Sequence, residues 1–237
     1  LSSFAESFQG SGLGGSSSFT NALLMAIFAE QNIDIEPSVI AKKAAEIEID
    51  KLNHPIGVQD HYLSALGGVS TLKLSKNREI EDIQGISNKA KLKLSNYLEE
   101  CFLVSTGISR SANYVLEKYK KDKKLVKKSI LEIRDIAEKA IEVLTFDDFI
   151  NEELDNLLKE AWEIKSKMPE VLSSDLKDIE TFLYQSGCVW LRLLGAGAGG
   201  YFLCKPSNPN YFVEQVSSKF KVLKVGVSST GVEAIKF

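Results

Sequence analysis

The chain has 237 residues, 44 % of them hydrophobic and 26 % charged, with a net charge of −3. That is the balance of an ordinary globular protein with ample material for a core. With a pI of about 5.6 it argues against a nucleic-acid binder that works by phosphate neutralisation, and no run approaches the roughly 18 apolar residues of a membrane span. The three cysteines, Cys101, Cys188 and Cys204, form no C-x-x-C pair, and there are only two histidines, His54 and His61. A disulfide framework or structural zinc site is therefore not expected. Each cysteine has apolar neighbours and reads as a small core residue in a reducing compartment. Residue 1 is Leu, and Leu1–Phe8 has neither a basic nor a long apolar region. Leu1–Phe8 is therefore not read as a signal peptide, and the chain is expected to begin inside a longer protein.

In chain order, Leu1–Phe8 reads as a weak strand and Gly10–Ser18 as a Gly/Ser loop. Phe19–Glu30 has Phe19, Leu23, Leu24, Ile27 and Phe28 at helical spacing. Pro37 suits a first helical turn, and Ser38–Asp50 continues as a helix with Val39, Ala44 and Ile47 on one side. Asn53-His54-Pro55 breaks it. Gln59–Leu66 is a short helix closed by Gly67-Gly68, and Val69–Leu74 alternates like a strand. Lys76–Gln84 is polar and marks a domain boundary, dividing 1–78 from 79–237. Cys101–Ser105 is a buried strand. Ser109–Met168 is helical, with breaks near Asp122 and Thr145. Its lysine-rich stretch Lys118–Lys128 is interrupted by Asp122 and reads as a solvated helix surface. Helix Asp175–Gln185, strands Cys188–Leu194 and Tyr201–Cys204, helix Asn208–Phe220 and strand Val222–Val227 complete the chain. The second half thus has the order strand, helices, strand, strand, helix, strand. That is the split β-α-β-β-α-β order of an α+β domain whose helices cover one face of an antiparallel sheet.

Three stretches carry chemistry. Gly10–Ser18 runs directly into a helix. Small residues allow close backbone approach, and the helix presents unsatisfied N–H groups to the loop, a ready site for a phosphate. Its serines offer hydroxyls for caps, phosphates or a cation. A flexible linker is the competing reading, and the string lacks the Gly-Lys-Ser/Thr of a P-loop. Glu48 and Asp60 stand twelve residues apart around a turn. One carboxylate could take the proton of a substrate hydroxyl and the other hold a divalent cation; alternatively one is a solvated helix carboxylate and the other a helix cap. Each histidine reads as a surface or packing residue. Finally, Gly195–Gly200 places four glycines in six residues between two apolar strands. That is more than a hairpin needs, and it points to close approach of the backbone to a ligand or to another loop, with a tightly packed sheet corner as the competing reading.

Gly12-Leu-Gly-Gly-Ser-Ser17 resembles the phosphate loop of the GHMP small-molecule kinases, which include galactokinase, homoserine kinase and mevalonate kinase. Leu194-Gly-Ala-Gly-Ala-Gly-Gly-Tyr201 is similar to the C-terminal glycine motif of that superfamily. Glu46–Asp50, Pro55-Ile-Gly-Val-Gln-Asp-His-Tyr62 and Thr106–Ala112 resemble one branch, the D-glycero-D-manno-heptose 7-phosphate kinases. The resemblance covers nearly the whole chain. It implies an α+β, GHMP-kinase-like two-domain fold, with part of a ribosomal-S5-like N-terminal domain and a ferredoxin-like C-terminal domain with extra helices. It implies ATP and Mg2+ as cofactors, bound through Gly10, Ser11, Gly12, Leu13, Gly14, Gly15, Ser16 and Ser17, with Gly195, Gly197 and Gly199 supporting the loop. Ser16 and Glu48 would ligate the metal, Asp60 would be the catalytic carboxylate, and Arg110, Gly57 and Gln59 would face the substrate. The implied reaction is ATP-dependent phosphorylation of the anomeric hydroxyl of a sugar phosphate, giving a 1,7-bisphosphate for the heptose branch. The alternatives are another GHMP kinase, acting on fucose, galactose or a mevalonate-like alcohol, or an inactive nucleotide-binding fragment. The implied setting is cytoplasmic, with a homodimer left open and no nucleic-acid or membrane partner. Gln9 stands where the family has proline, Gly15 replaces a serine and Ala198 a glycine. The family's first motif has no counterpart, so the chain resembles the C-terminal two-thirds of such a kinase and alone would lack substrate contacts.

Overall fold

The computed structural model describes residues 12–75, 80–84, 86–109, 122–146 and 150–235. The expected strand Leu1–Phe8 and the residues Gly10, Ser11 and Arg110 lie outside these. The described chain divides into two units. Gly14–Ile86 and the tail from Val227 form one; residues 12 and 13 with Ser87–Gly226 form the other.

The first unit opens with helix α1 (Gly15–Glu30). Gly15–Ser18 is therefore the first helical turn and not part of the loop. Gly14 makes this abrupt start possible: it adopts φ +69°, a conformation that favours glycine, and its carbonyl accepts from both the N–H and the Oγ of Ser18 at 3.0 Å. The residues that α1 buries outright are polar, while Leu23, Leu24 and Phe28 are half-buried. Ser17 and Asn21 are its buried residues, whereas Phe19 and Ile27 are 50 % and 42 % exposed. Helix α2 (Pro37–Ala45) starts on Pro37, whose missing N–H costs nothing in a first turn. It buries Ile40, Ala41, Ala44 and Ala45, leaving Val39 exposed. The helix expected to run to Asp50 changes pitch at Glu46–Lys51, a π-helical turn in which Leu52 N–H reaches back to Ile47 O at 2.9 Å. Helix α3 (Gln59–Leu66) has the predicted limits.

Strands β1 (Thr71–Leu74) and β2 (Ile80–Gln84) pair antiparallel. The polar stretch expected to separate two domains at 78/79 thus leads into a strand that pairs back onto β1. The C-terminal tail also returns to this unit. Val232 N–H donates to Ala65 O at 3.0 Å and Gly68 N–H to Ser228 O at 2.7 Å. Ala41, Ala45, Ile49, Val58, Tyr62 and Ala65 form the unit's core, with Leu72 and Val232 packed against it.

The second unit contains a four-stranded antiparallel sheet, β3 (Phe102–Ser105), β4 (Cys188–Leu193), β5 (Tyr201–Pro206) and β6 (Val222–Lys224), in the spatial order β4-β5-β3-β6. The strands fall where the apolar runs predicted them. Helix α4 (Asn88–Glu99) was not foreseen: it buries only Ala90, Leu94 and Tyr97 among lysines, and Ser87 caps it by accepting from Ala90 N–H at 3.1 Å. Helix α5 (Lys123–Thr145) starts at the expected break, with Asp122 Oδ1 accepting from Leu125 N–H, and its Lys123, Lys124, Lys127 and Lys128 are exposed. Helices α6 (Asn151–Lys165), α7 (Ser174–Gln185) and α8 (Pro209–Ser217) follow the pattern, the last capped by Asn208. Phe102, Val104, Trp162, Leu176, Leu183, Leu191, Leu193, Phe202 and Phe212 make the core. All three cysteines are buried and free, as small core residues. No described helix is long and apolar enough to cross a membrane.

Candidate active site

The first unit brings Ser16, Glu48 and Asp60 together. Glu48 sits in the π-helical turn and is 2 % exposed. Ser16 Oγ donates to Glu48 Oε1 at 2.9 Å, and Thr20 Oγ1, one helical turn further on, lies 2.5 Å from the same oxygen. Spacing i, i+4 puts both hydroxyls on one face of α1. The other carboxylate oxygen, Oε2, is buried without a hydrogen bond. It faces His61 Nε2 at 3.6 Å and His54 Nδ1 at 4.0 Å. His61, expected on the surface or in packing, is fully buried and lines this carboxylate. Burial lowers its imidazole below the usual 6.5, against the opposing pull of Glu48 and Asp60. The ring behind Glu48 is thereby kept neutral near pH 7.

Asp60 lies in the first turn of α3, where a carboxylate suits the helix dipole. A Cβ on Gly14 would sit 3.7 Å from Asp60 Cβ, so only the bare backbone of the loop lies against this side chain. Desolvation holds the Asp60 carboxyl above its ordinary 3.8; His61 draws it back and Glu48 adds to the rise. Asn21 fixes the register of the two helices. Its buried Nδ2 donates to His61 O at 2.7 Å and to Ser64 Oγ at 2.9 Å, while Ser64 Oγ donates to Asp60 O at 2.7 Å. Thr20, Asn21, Ser64 and His61 were not singled out from the sequence as site residues. The available signal was Thr20 one turn beyond Ser16, and a lone Asn on an otherwise apolar helix. Gln59 folds back over Gly57, where a Cβ would come within 2.1 Å of its Oε1.

The start of α1 has no side-chain cap and no acidic residue in its first turn. Its leading N–H groups are suited to an anion. The donor set beside it is hard oxygen: a serine hydroxyl whose proton goes to Glu48, leaving lone pairs for a cation, and a buried carboxylate with one unsatisfied oxygen. That chemistry fits Mg2+ rather than a soft metal. Among the described residues no three His, Cys, Asp or Glu side chains form a cage.

The second glycine loop finds protein partners within its own unit. A Cβ on Gly195 (φ +67°) would lie 2.9 Å from Gly12 Cα, and one on Gly12 (φ +76°) 3.2 Å from Leu194 O. Gly197 abuts Val171, and Gly199 abuts the Ile108 carbonyl, to which Gly200 N–H donates at 2.8 Å. The loop thus approaches the backbone of other stretches of the chain closely. Ala198, standing where the family has glycine, adopts φ +62°, a conformation that favours glycine.

A family model described as the GHMP kinases N terminal domain matches residues 6–68. A D-glycero-alpha-D-manno-heptose 7-phosphate kinase of Campylobacter jejuni subsp. jejuni serotype O:2 is 29 % identical over 231 residues, covering 94 % of this chain. The chain spans 63 % of that relative's length. The structure of a D-glycero-D-manno-heptose 1-phosphate kinase from Bacteroides thetaiotaomicron matches 96 % of this chain and 64 % of its own, with TM-score 0.67 and 20 % identity. A mevalonate kinase from L. major in complex with R-mevalonate matches 94 % of this chain and 68 % of its own, with TM-score 0.69 and 16 % identity. The two structural likenesses speak to the fold, which is α+β and GHMP-kinase-like. Residues 6–68 are similar to the N-terminal domain of the GHMP kinases.

Proposed function

We propose that this chain is the greater part of an ATP-dependent small-molecule kinase, and that its acceptor is the anomeric hydroxyl of a sugar phosphate, D-glycero-D-manno-heptose 7-phosphate. The observation that carries the reading is the Ser16–Glu48 hydrogen bond with Asp60 against Gly14. On this reading a hydroxyl, a buried carboxylate and a candidate base serve one uncapped helix start. Residues 1–78 are read as the remainder of the S5-like domain and 79–237 as the C-terminal domain. The sheet β4-β5-β3-β6 with its helices is read as the ferredoxin-like domain, whose strand order and antiparallel pairing suit it.

In this mechanism the N–H groups at the start of α1 bind phosphate oxygens. Ser16 and Glu48 would hold Mg2+, which supplies charge neutralisation at the β- and γ-phosphates when bound. Asp60 accepts the proton of the acceptor hydroxyl as that oxygen attacks the γ-phosphorus and ADP departs. Its raised pKa brings it nearer the working pH of a general base. Most of the rate comes from alignment and fixed charge. The setting proposed is cytoplasmic, with ATP and a sugar phosphate as partners, no nucleic acid or membrane, and homodimerisation open.

The heptose branch is favoured by the identity to the Campylobacter relative over 94 % of this chain. The test is a phosphate-transfer assay with ATP, Mg2+ and a panel of heptose 7-phosphate, galactose, fucose and mevalonate, read by 31P NMR. Formation of a heptose 1,7-bisphosphate is expected. Transfer to mevalonate or galactose instead would move the chain to another branch. Nucleotide binding without transfer to any acceptor would leave an inactive nucleotide-binding fragment, and no Mg2+-dependent nucleotide binding would overturn the reading altogether.

A further inference from the structure

Lys165 is the last residue of α6, a position where a cation ordinarily answers the carbonyls of its own helix end. Here it reaches across to another element. Its Nζ donates to Gly195 O at 2.7 Å and to Leu193 O at 3.1 Å. These two carbonyls flank Leu194, and the stretch they bracket is the one that meets Gly12. The Leu194 carbonyl oxygen lies 3.2 Å from the Cβ position of Gly12, and the Gly195 Cβ position lies 2.9 Å from Gly12 Cα. Gly12 in turn stands two residues before Gly14 in the loop that opens α1.

We propose that Lys165 is a positioning residue for the nucleotide loop, tying the glycine turn after β4 to the end of α6 so that Gly195 backs Gly12. The proposal rests on the reading of that loop as a phosphate loop. An apolar side chain of the same length could fill the space but could not bind two carbonyls at once. The setting is otherwise unfavourable for an ammonium group. Burial, with the Arg192 guanidinium adding to it, pulls Lys165 down to about 7. Arg192 also has a buried Nε without a hydrogen-bond partner. A lysine kept in such surroundings is explained by the two carbonyls it holds.

The test compares the wild-type chain with Lys165→Met and Lys165→Arg, by amide hydrogen exchange without nucleotide and by binding of a fluorescent mant-ATP with Mg2+. Lys165→Met is expected to speed exchange in the peptides covering 194–200 and 12–14, leaving α8 and β5 protected, and to weaken mant-ATP about tenfold, the scale of one lost charged hydrogen bond. Lys165→Arg, which keeps charge and donors, is expected to restore both. Unchanged exchange in residues 194–200 of folded Lys165→Met overturns the proposal, as does faster exchange there with unaltered mant-ATP affinity. If Lys165→Met does not fold by circular dichroism, Lys165→Gln is judged by the same two measurements. If the wild type binds no mant-ATP while exchange responds as expected, the nucleotide reading fails and the tie itself stands.

Discussion

Ser16 Oγ and Glu48 Oε1 meet at 2.9 Å across 32 residues of sequence, joining the first turn of one helix to the π-helical turn that ends another. The bond orients a hydroxyl that is otherwise free to rotate, and it leaves that oxygen's lone pairs facing outward. Glu48→Gln removes the charge and keeps the shape. The expected result is a Mg2+-dependent nucleotide affinity reduced at least about tenfold, since a hydrogen bond to a charged group contributes roughly 1.5–3 kcal/mol. Titration of the variant with Mg2+ at fixed nucleotide checks this. An unaltered Mg2+ midpoint would remove Glu48 from the metal site.

Asp60→Asn separates chemistry from binding. Loss of a general base lowers kcat by about 10²–10⁴-fold, while affinity for ATP stays within about threefold because Asn still fits against Gly14. The same variant has a stability signature. Desolvation raises the folded-state pKa of Asp60 above its ordinary 3.8. The native state therefore binds the proton more tightly than the unfolded chain. Stability falls as pH rises from that ordinary value through the raised one, and the penalty is fully present at neutral pH. Asp60→Asn should thus melt at a higher temperature than wild type at pH 7, and the difference should vanish below pH 4. A lower Tm at pH 7 would contradict the desolvated placement of this carboxyl.

Much of the architecture was legible because short-range signals agreed with packing. The limits of α3 follow from Pro55 and Gly57 before it and Gly67-Gly68 after it, and Gly67 takes φ +68°, a value open to glycine without steric cost. The breaks at Asp122 and Asn208 are caps that any reading of helix starts would find. The failures have a common physical source. α1 looks apolar on one side, yet Ser17 and Asn21 are the side chains it buries, because its partner α3 offers polar groups: the carbonyl of His61 and the hydroxyl of Ser64. Periodicity reports where apolar residues are, not which face a neighbour selects. The π-helical turn at Glu46–Lys51 depends on one extra residue per turn and has no compositional mark. Of the site, Glu48 and Asp60 stand out by their spacing, and the resemblance adds Ser16 and divides the roles among the three. Thr20, Asn21 and the buried His61 emerged only when α1, α3 and that turn were seen side by side.

Gly195 and Gly107 provide a matched pair. Both have φ near the left-handed region, +67° and +68°. A Cβ at Gly107 meets nothing within 4 Å, whereas one at Gly195 comes within 2.9 Å of Gly12 Cα. Gly107→Ala should cost only the backbone penalty of about 1–2 kcal/mol. Gly195→Ala adds overpacking of a backbone contact and should cost about 1–3 kcal/mol more. Denaturant melts of the two variants give the comparison directly. Equal midpoints would mean that Gly195 and Gly12 are not in backbone contact.

Asp155 anchors the buried polar centre of the second unit. Its Oδ1 accepts from Tyr97 Oη at 2.5 Å and Trp190 Nε1 at 2.7 Å, and Lys205 Nζ approaches both carboxylate oxygens at 3.1 Å. Lys205 is only 9 % exposed; its Nζ also lies 4.2 Å from the Tyr97 ring centroid and 3.8 Å from Glu100 Oε2. Burial, reinforced by Asp155, pushes the Tyr97 hydroxyl well above its usual range, so it remains a donor at any working pH. Asp155→Ala leaves an ammonium, an indole N–H and a phenol without their shared acceptor. Breaking a buried ion pair by removing one partner costs about 3–5 kcal/mol. Asp155→Asn keeps one acceptor oxygen for the indole and phenol but loses the charge, and should fall between the two. The double variant Asp155→Ala/Lys205→Met, which removes the orphaned charge, should recover a large part of the loss. If Asp155→Ala and the double variant are equally destabilised, the cost arises from packing, and the ion pair is not what holds α6 to β4 and β5.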